Sequence, residues 1–164
     1  MEKQYDLNKR TLILKVKPAP IFIRFLLFLL AVLGFILPLT GIIASFFIVS
    51  RAITVGHLMI FLALLFVSLF IFRLALWNTK GKEEFYFGEH QIEYQPDYGW
   101  FKDKRKKYVV TNNKVSFEIK PIGYESDRKG VLIMQSANKI IGSAVKLPID
   151  DLGAIIAKLK PLYN

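Results

Sequence analysis

The chain of 164 residues contains no cysteine. That excludes disulfides, thiolate metal sites and thiol nucleophiles. It also lacks a glycine-rich phosphate loop, a serine-nucleophile motif and a His-Glu-x-x-His zinc motif. Histidine is scarce, at His57 and His90 only. The largest absence is of charge. No charged side chain occurs in the 26 residues from Phe25 to Ser50. None occurs in the 21 from Ala52 to Phe72 beyond His57. About 20 apolar residues suffice to carry a helix across a bilayer core. Transporters and proton relays place ionisable groups at that depth, so spans without them suit an anchor or a packed subunit.

What remains is a strongly patterned chain. The apolar stretch from Ile21 to Trp77, interrupted by Arg51, reads as a transmembrane helical hairpin. A cleaved signal peptide is disfavoured, because its apolar core runs to only about 7–15 residues. The net charge of +10 lies on both flanks of the hairpin. Arg10, Lys15, Lys17 and Arg24 precede the first span, and Arg73, Lys80 and Lys82 follow the second. Lys and Arg near span ends are retained on the cytoplasmic side, so both termini are expected there, with a short outer turn near Ser50–Gly56. Arg24, Arg73 and Trp77 sit where membrane-interface anchors belong. The same rule, together with attraction to anionic lipid, accounts for the basic balance without a nucleic-acid partner.

Three segments follow: 1–20, a cytoplasmic N-terminal piece; 21–77, the hairpin; and 78–164, a soluble domain. Residues 1–10 are polar and read as a frayed end. Thr11–Lys17 has the partial alternation of a strand. It needs partners, and the only β-rich material lies beyond the hairpin. The hairpin is therefore expected as an insertion between two strands of one domain. Within it, Gly41 and Ser45 form a small-residue pair suited to close helix approach. Past Lys82 the pattern gives short strands at Glu83–Phe87, Gln91–Gln95, Lys104–Val110, Val115–Lys120, Val131–Gln135 and Lys139–Lys146. Turns fall at Thr111–Asn113 and Ser136–Asn138. Pro96–Trp100 reads as a loop. Leu152, Ile155, Ile156 and Leu159 mark one face of a terminal helix over Pro148–Leu162, capped by Asp150 or Asp151. The expected fold is membrane α+β: a transmembrane hairpin with a small antiparallel barrel or curled sheet, closed by a C-terminal helix.

This layout resembles the bacterial pleckstrin-homology-like (PH-like) domain in its small membrane-protein form with two transmembrane helices. The paired spans carry the resemblance, with the junction Leu76-Trp77-Asn78-Thr79-Lys80-Gly81-Lys82-Glu83 and the ending Val145-Lys146-Leu147-Pro148-Ile149-Asp150-Asp151-Leu152. It implies a seven-stranded barrel at the inner face of a bacterial cytoplasmic membrane, without enzymatic activity or cofactor.

The sharpest candidate site is the stretch Tyr98–Lys107. Trp100 and Phe101 are followed by Lys102, Lys104, Arg105, Lys106 and Lys107. Read functionally, the aromatics sit among headgroups while the cations meet lipid phosphates, at about 1 kcal/mol per cation. Read structurally, it is a solvated hairpin tip. Glu83, Glu84, Glu89 and Glu93 look like solvated strand positions. His57 and His90 are expected on opposite sides of the membrane, which excludes a shared metal site. The expectation is a non-catalytic inner-membrane accessory or scaffolding subunit. Its partners would be membrane lipids and integral-membrane proteins. The alternative is a sensor of anionic lipid acting through Trp100–Lys107.

Overall fold

A computed structural model describes residues 3–47, 54–110, 114–136 and 139–163. Most of the expected outer turn, with Arg51, lies outside the described residues. So do the Thr111–Asn113 turn and Ala137 and Asn138 of the next. The chain forms two units. One is Pro18–Thr79; the other joins Met1–Lys17 to Lys80–Asn164.

The first unit is built from helices α1 (Ile21–Phe47) and α2 (Val55–Lys80). Pro20 precedes α1, and its carbonyl accepts the Arg24 N–H at 3.1 Å in the first helical turn. Both helices are long and apolar enough to cross a membrane by length and composition. Large side chains such as Phe22, Leu37, Phe66 and Phe70 point outward. The helices meet through small residues instead. Ala31 and Ser68 are buried, and a Cβ placed on Gly34 would collide with the Ser68 hydroxyl. Ser68 turns that hydroxyl onto the Leu64 carbonyl at 2.7 Å, which satisfies its donor within the helix. Phe28 and Phe72 close the contact edge to face, 6.0 Å apart. The Gly41 and Ser45 pair does not make this approach. Among the described residues nothing lies within 4 Å of a Gly41 Cβ, and the Ser45 hydroxyl bonds back to the Gly41 carbonyl.

The second unit contains two antiparallel sheets and a terminal helix. The first sheet is a meander of β1 (Tyr5–Asn8), β2 (Thr11–Lys15), β3 (Lys82–Phe87), β4 (Gln91–Asp97) and β5 (Lys106–Val109). Its first strand replaces the expected frayed end. Tyr5 and Leu7 stand opposite Leu14 and Leu12, so the polar composition conceals a two-residue alternation. Strand β2 pairs directly with β3, Leu12 opposite Phe85 and Leu14 opposite Glu83. The 66 intervening residues, from Val16 to Gly81, hold the whole hairpin. Strand β4 runs through Pro96 to Asp97, where sequence reading expected a loop.

The second sheet contains β6 (Ser116–Pro121), β7 (Lys129–Ser136), β8 (Lys139–Gly142) and β9 (Leu147–Pro148). Strands β8 and β9 lie along one edge of β7, and the expected single strand Lys139–Lys146 is broken between them. Ile133 faces Gly142 while Gly130 faces Leu147. Three steps on β7 thus match five on the opposing chain, an insertion of two residues in the manner of a bulge. Helix α3 (Ile149–Leu159) packs on β6 and β7 and buries Leu152, Ile155 and Leu159. Asp150 and Asp151 lie in its first turn, where they complement the dipole, but neither makes a capping hydrogen bond. Pro148 occupies the cap position, and Asp150 pairs with Arg128 at 3.3 Å.

Leu12, Leu14, Phe85 and Ile92 of the first sheet are fully buried, as are Leu132, Met134 and Leu147 of the second. Each contributes about 1.5–3 kcal/mol. Tyr163 ties the sheets together. Its ring packs against Phe87 and Phe117, and its hydroxyl donates to the Gly88 carbonyl at 2.8 Å. The two sheets form separate ladders among the described residues, not a closed barrel.

Candidate functional site: two faces of the β3–β4 ladder

Alternation along β3 sends Glu83, Phe85 and Phe87 to one face and Lys82, Glu84 and Tyr86 to the other. On the inner face Glu83 is fully buried. Its carboxylate reaches the break between β8 and β9. Oε1 and Oε2 both accept the Ala144 N–H at 3.0 Å, Oε2 accepts the Val145 N–H at 3.0 Å, and Oε1 accepts the Tyr94 hydroxyl at 2.7 Å. These are the backbone donors that the bulge withdraws from β7. Ser143 completes the corner. Its hydroxyl accepts the Leu132 N–H at 3.0 Å and donates to the Val145 carbonyl at 3.2 Å. One acid thus replaces the missing ladder partners and fastens the first sheet to the second. Burial pushes the Glu83 carboxyl above its ordinary range, against the lowering effect of its three donors. Burial and the Glu83 charge raise the Tyr94 hydroxyl.

On the outer face the carboxylates are ionised and paired. Glu84 lies 3.3 Å from Lys82 and 3.0 Å from Lys102, and accepts the Tyr86 hydroxyl at 2.7 Å. Asp97 lies 3.2 Å from Lys82 and 3.3 Å from Lys102. Burial alone would raise both acids. For Glu84 the bonds from Tyr86, Lys102 and Lys82 outweigh it, and for Asp97 the Gly99 N–H with Lys82 and Lys102 does so. Both therefore lie below their ordinary values. Further along, Glu93 meets Arg105 at 2.9 Å and Lys107 at 3.5 Å. Arg105 also covers the Tyr86 ring, 4.4 Å from its centroid, and bonds Gln95.

The loop beyond β4 is a tight hairpin tip. Tyr98 N–H bonds the Phe101 carbonyl at 2.9 Å, and Asp97 forms an isolated bridge with Lys102. Gly99 takes φ +86°, a conformation that suits glycine at the first central position of such a turn. A Cβ there would also press on Lys80, 2.9 Å from its Cβ. The Asp97 carboxylate accepts the Gly99 N–H at 2.7 Å, and Tyr98 stacks on Phe101.

The candidate stretch therefore divides. Trp100 is 72% and Phe101 40% exposed at the tip. Lys102, Arg105 and Lys107 lie on the outer face among carboxylates. Lys104 and Lys106 are exposed. Of the anchor positions, Arg24, Arg73 and Trp77 are all half-buried on the helices, and the Arg24 Nε is buried without a hydrogen-bond partner. Among the described residues no three His, Asp or Glu side chains are grouped to hold a metal ion. Sequence reading took both Glu84 and Glu83 for solvated strand positions; burial corrects both, most completely for Glu83. The available signal was its parity, shared with Phe85 and Phe87. Comparison with protein families, with curated proteins and with solved structures finds no match to this chain.

Proposed function

We propose that this chain is a non-catalytic accessory or scaffolding subunit of a larger membrane protein complex. In this reading it lies in a bacterial cytoplasmic membrane with both termini inside, and presents a PH-like binding domain beside its two spans. The observation that carries the reading is the insertion of the hairpin between β2 and β3, which are hydrogen-bonded neighbours. Both ends of the membrane segment thereby enter one folded unit, as suits a platform held by two covalent connections. The spans add support, since their described segments bear no ionisable group between Arg24 and Arg73 apart from His57. Two antiparallel sheets followed by a helix packed on the second are compatible with the PH-like assignment. Purification from native membranes in mild detergent tests the proposal. A defined integral-membrane partner should co-purify in constant proportion. Recovery solely as a free monomer contradicts the subunit role.

A further inference from the structure

Strand β5 (Lys106–Val109) ends the first sheet, with β4 as its one neighbour among the described residues. Its backbone alternates in direction. The Val110 N–H bonds the His90 carbonyl at 2.8 Å, and the same register sets Tyr108 opposite Ile92 and Lys106 opposite Tyr94. Directly opposed residues of an antiparallel pair alternate between bonded and non-bonded, so Lys106 and Tyr108 turn their backbone groups to β4. Lys107 and Val109 turn theirs to the other edge, where no strand among the described residues bonds them. Val109 is 65% exposed there. An open edge of this kind is a template for another strand.

The charge beside that edge has one sign. Arg105 and Lys107 share Glu93. Lys104 and Lys106 are exposed, and neither makes an ion pair with a described residue. Like charges disfavour pairing with the same edge of a second copy, and a strand bearing carboxylates is the complement. We propose that β5 takes up an acidic extended segment of a partner protein as an added strand. The backbone of that segment bonds Lys107 and Val109, and its carboxylates meet Lys104 and Lys106. A lipid surface could meet the charge but cannot extend the ladder. The edge serves the subunit role proposed above, and the source of the added strand rests on that reading.

The probe is a fluorescent, acetylated Glu-Val-Glu-Val-Glu-Val-Glu peptide, added to the full chain in nanodiscs of neutral lipid. Lys107→Ala removes the side chain and keeps the outward N–H. Lys107→Pro removes that N–H as well and leaves the β4 ladder intact. The expected result is saturable binding to the native chain and to Lys107→Ala, weakened about tenfold or more in Lys107→Pro, the scale of one or two lost hydrogen bonds. Amide exchange at Lys107 and Val109 should slow when the peptide is bound. Equal affinity of Lys107→Ala and Lys107→Pro, or no binding by the native chain, overturns the added strand. Should Lys107→Pro fail to fold, a fully N-methylated copy of the peptide tests the native chain. Ladder pairing predicts no binding of that copy, and binding equal to the parent peptide overturns it. Lys104→Gln with Lys106→Gln should weaken the peptide. A loss confined to capture by anionic vesicles assigns the charge to lipid and overturns the acidic strand. Absence of peptide binding beside a co-purifying membrane partner overturns the edge and leaves the subunit role. Peptide binding by a chain recovered solely as a free monomer supports the edge and removes that role.

Discussion

Glu83 and Glu84 are neighbours in sequence and opposites in physical role. The inner acid has no cation within reach among the described residues, and spends its oxygens on two backbone donors and a tyrosine. The outer acid is also buried, but it sits between a tyrosine and two lysines that are themselves partly exposed. One peptide bond separates architecture from charge balance, because strand parity alone decides which environment each side chain enters. The inner face holds two sheets together at a corner where the ladder is broken. The outer face neutralises a basic strand and fixes its tip.

The strongest way to break the contrast is Glu83→Ala. It leaves the Ala144 and Val145 N–H groups without their acceptor, in addition to the Tyr94 hydroxyl. At about 1–3 kcal/mol for each buried orphan, the loss should reach about 3 kcal/mol or more. Glu83→Gln should be far milder. Its carbonyl oxygen can take the Oε2 position shared by both N–H groups, while its amide donates to the Tyr94 oxygen. Denaturant unfolding of the full chain in detergent compares the two. Equal losses would mean that the inner site needs charge rather than an acceptor. Glu84→Gln is expected to cost less, about 1 kcal/mol, because its lysine partners are partly solvated.

Acidity sharpens the contrast, since the two faces carry opposite signs. Glu83 is raised above its ordinary 4.5, so its contribution is complete below that value and is lost as pH rises through the folded pKa. Glu84 and Asp97 are lowered from 4.5 and 3.8, so their contributions are present above those values and are lost as pH falls through the folded pKa. Glu83→Gln should therefore flatten the decline on the alkaline side of the carboxylate range, and Glu84→Gln the decline on its acid side. Unfolding midpoints across pH check both slopes. The smallest effect belongs to Arg105→Ala. Arg105 itself is 43% exposed, so the ion-pair part of the difference from the native chain should shrink at high salt.

The two long apolar helices were the most legible part of the sequence, because each uncharged run exceeds 20 residues. The pairing of Thr11–Lys15 with a strand beyond the hairpin was also legible, since an isolated strand cannot satisfy its own backbone. Strand β1 was not, because Asp6 and Asn8 on its outward face hide Tyr5 and Leu7. The break between β8 and β9 was hidden as well. Ile140, Ile141, Ala144 and Val145 read as one apolar strand, and only the arrival of Glu83 from 61 residues away in sequence explains the interruption. The basic run Lys102–Lys107 declared charge but not its compensation, which depends on cross-strand neighbours at Glu84, Glu93 and Asp97. Gly34 with Ser68, rather than Gly41 with Ser45, became the helix contact because contact depends on where two helices meet, which spacing on one helix does not fix.

Strands β2 and β3 pair across the two helices, so if those helices cross a membrane as proposed, the chain before α1 and the chain after α2 lie on the same side. Sidedness labelling tests it most directly, since the chain has no cysteine to remove. Single cysteines at Lys9→Cys, in the β1–β2 turn, and Lys158→Cys, on the exposed face of α3, are probed with a membrane-impermeant maleimide. Both should be protected in intact cells and both labelled in inverted membrane vesicles. Labelling of the two positions from opposite sides would contradict the shared domain, and labelling of both in intact cells would contradict the cytoplasmic orientation.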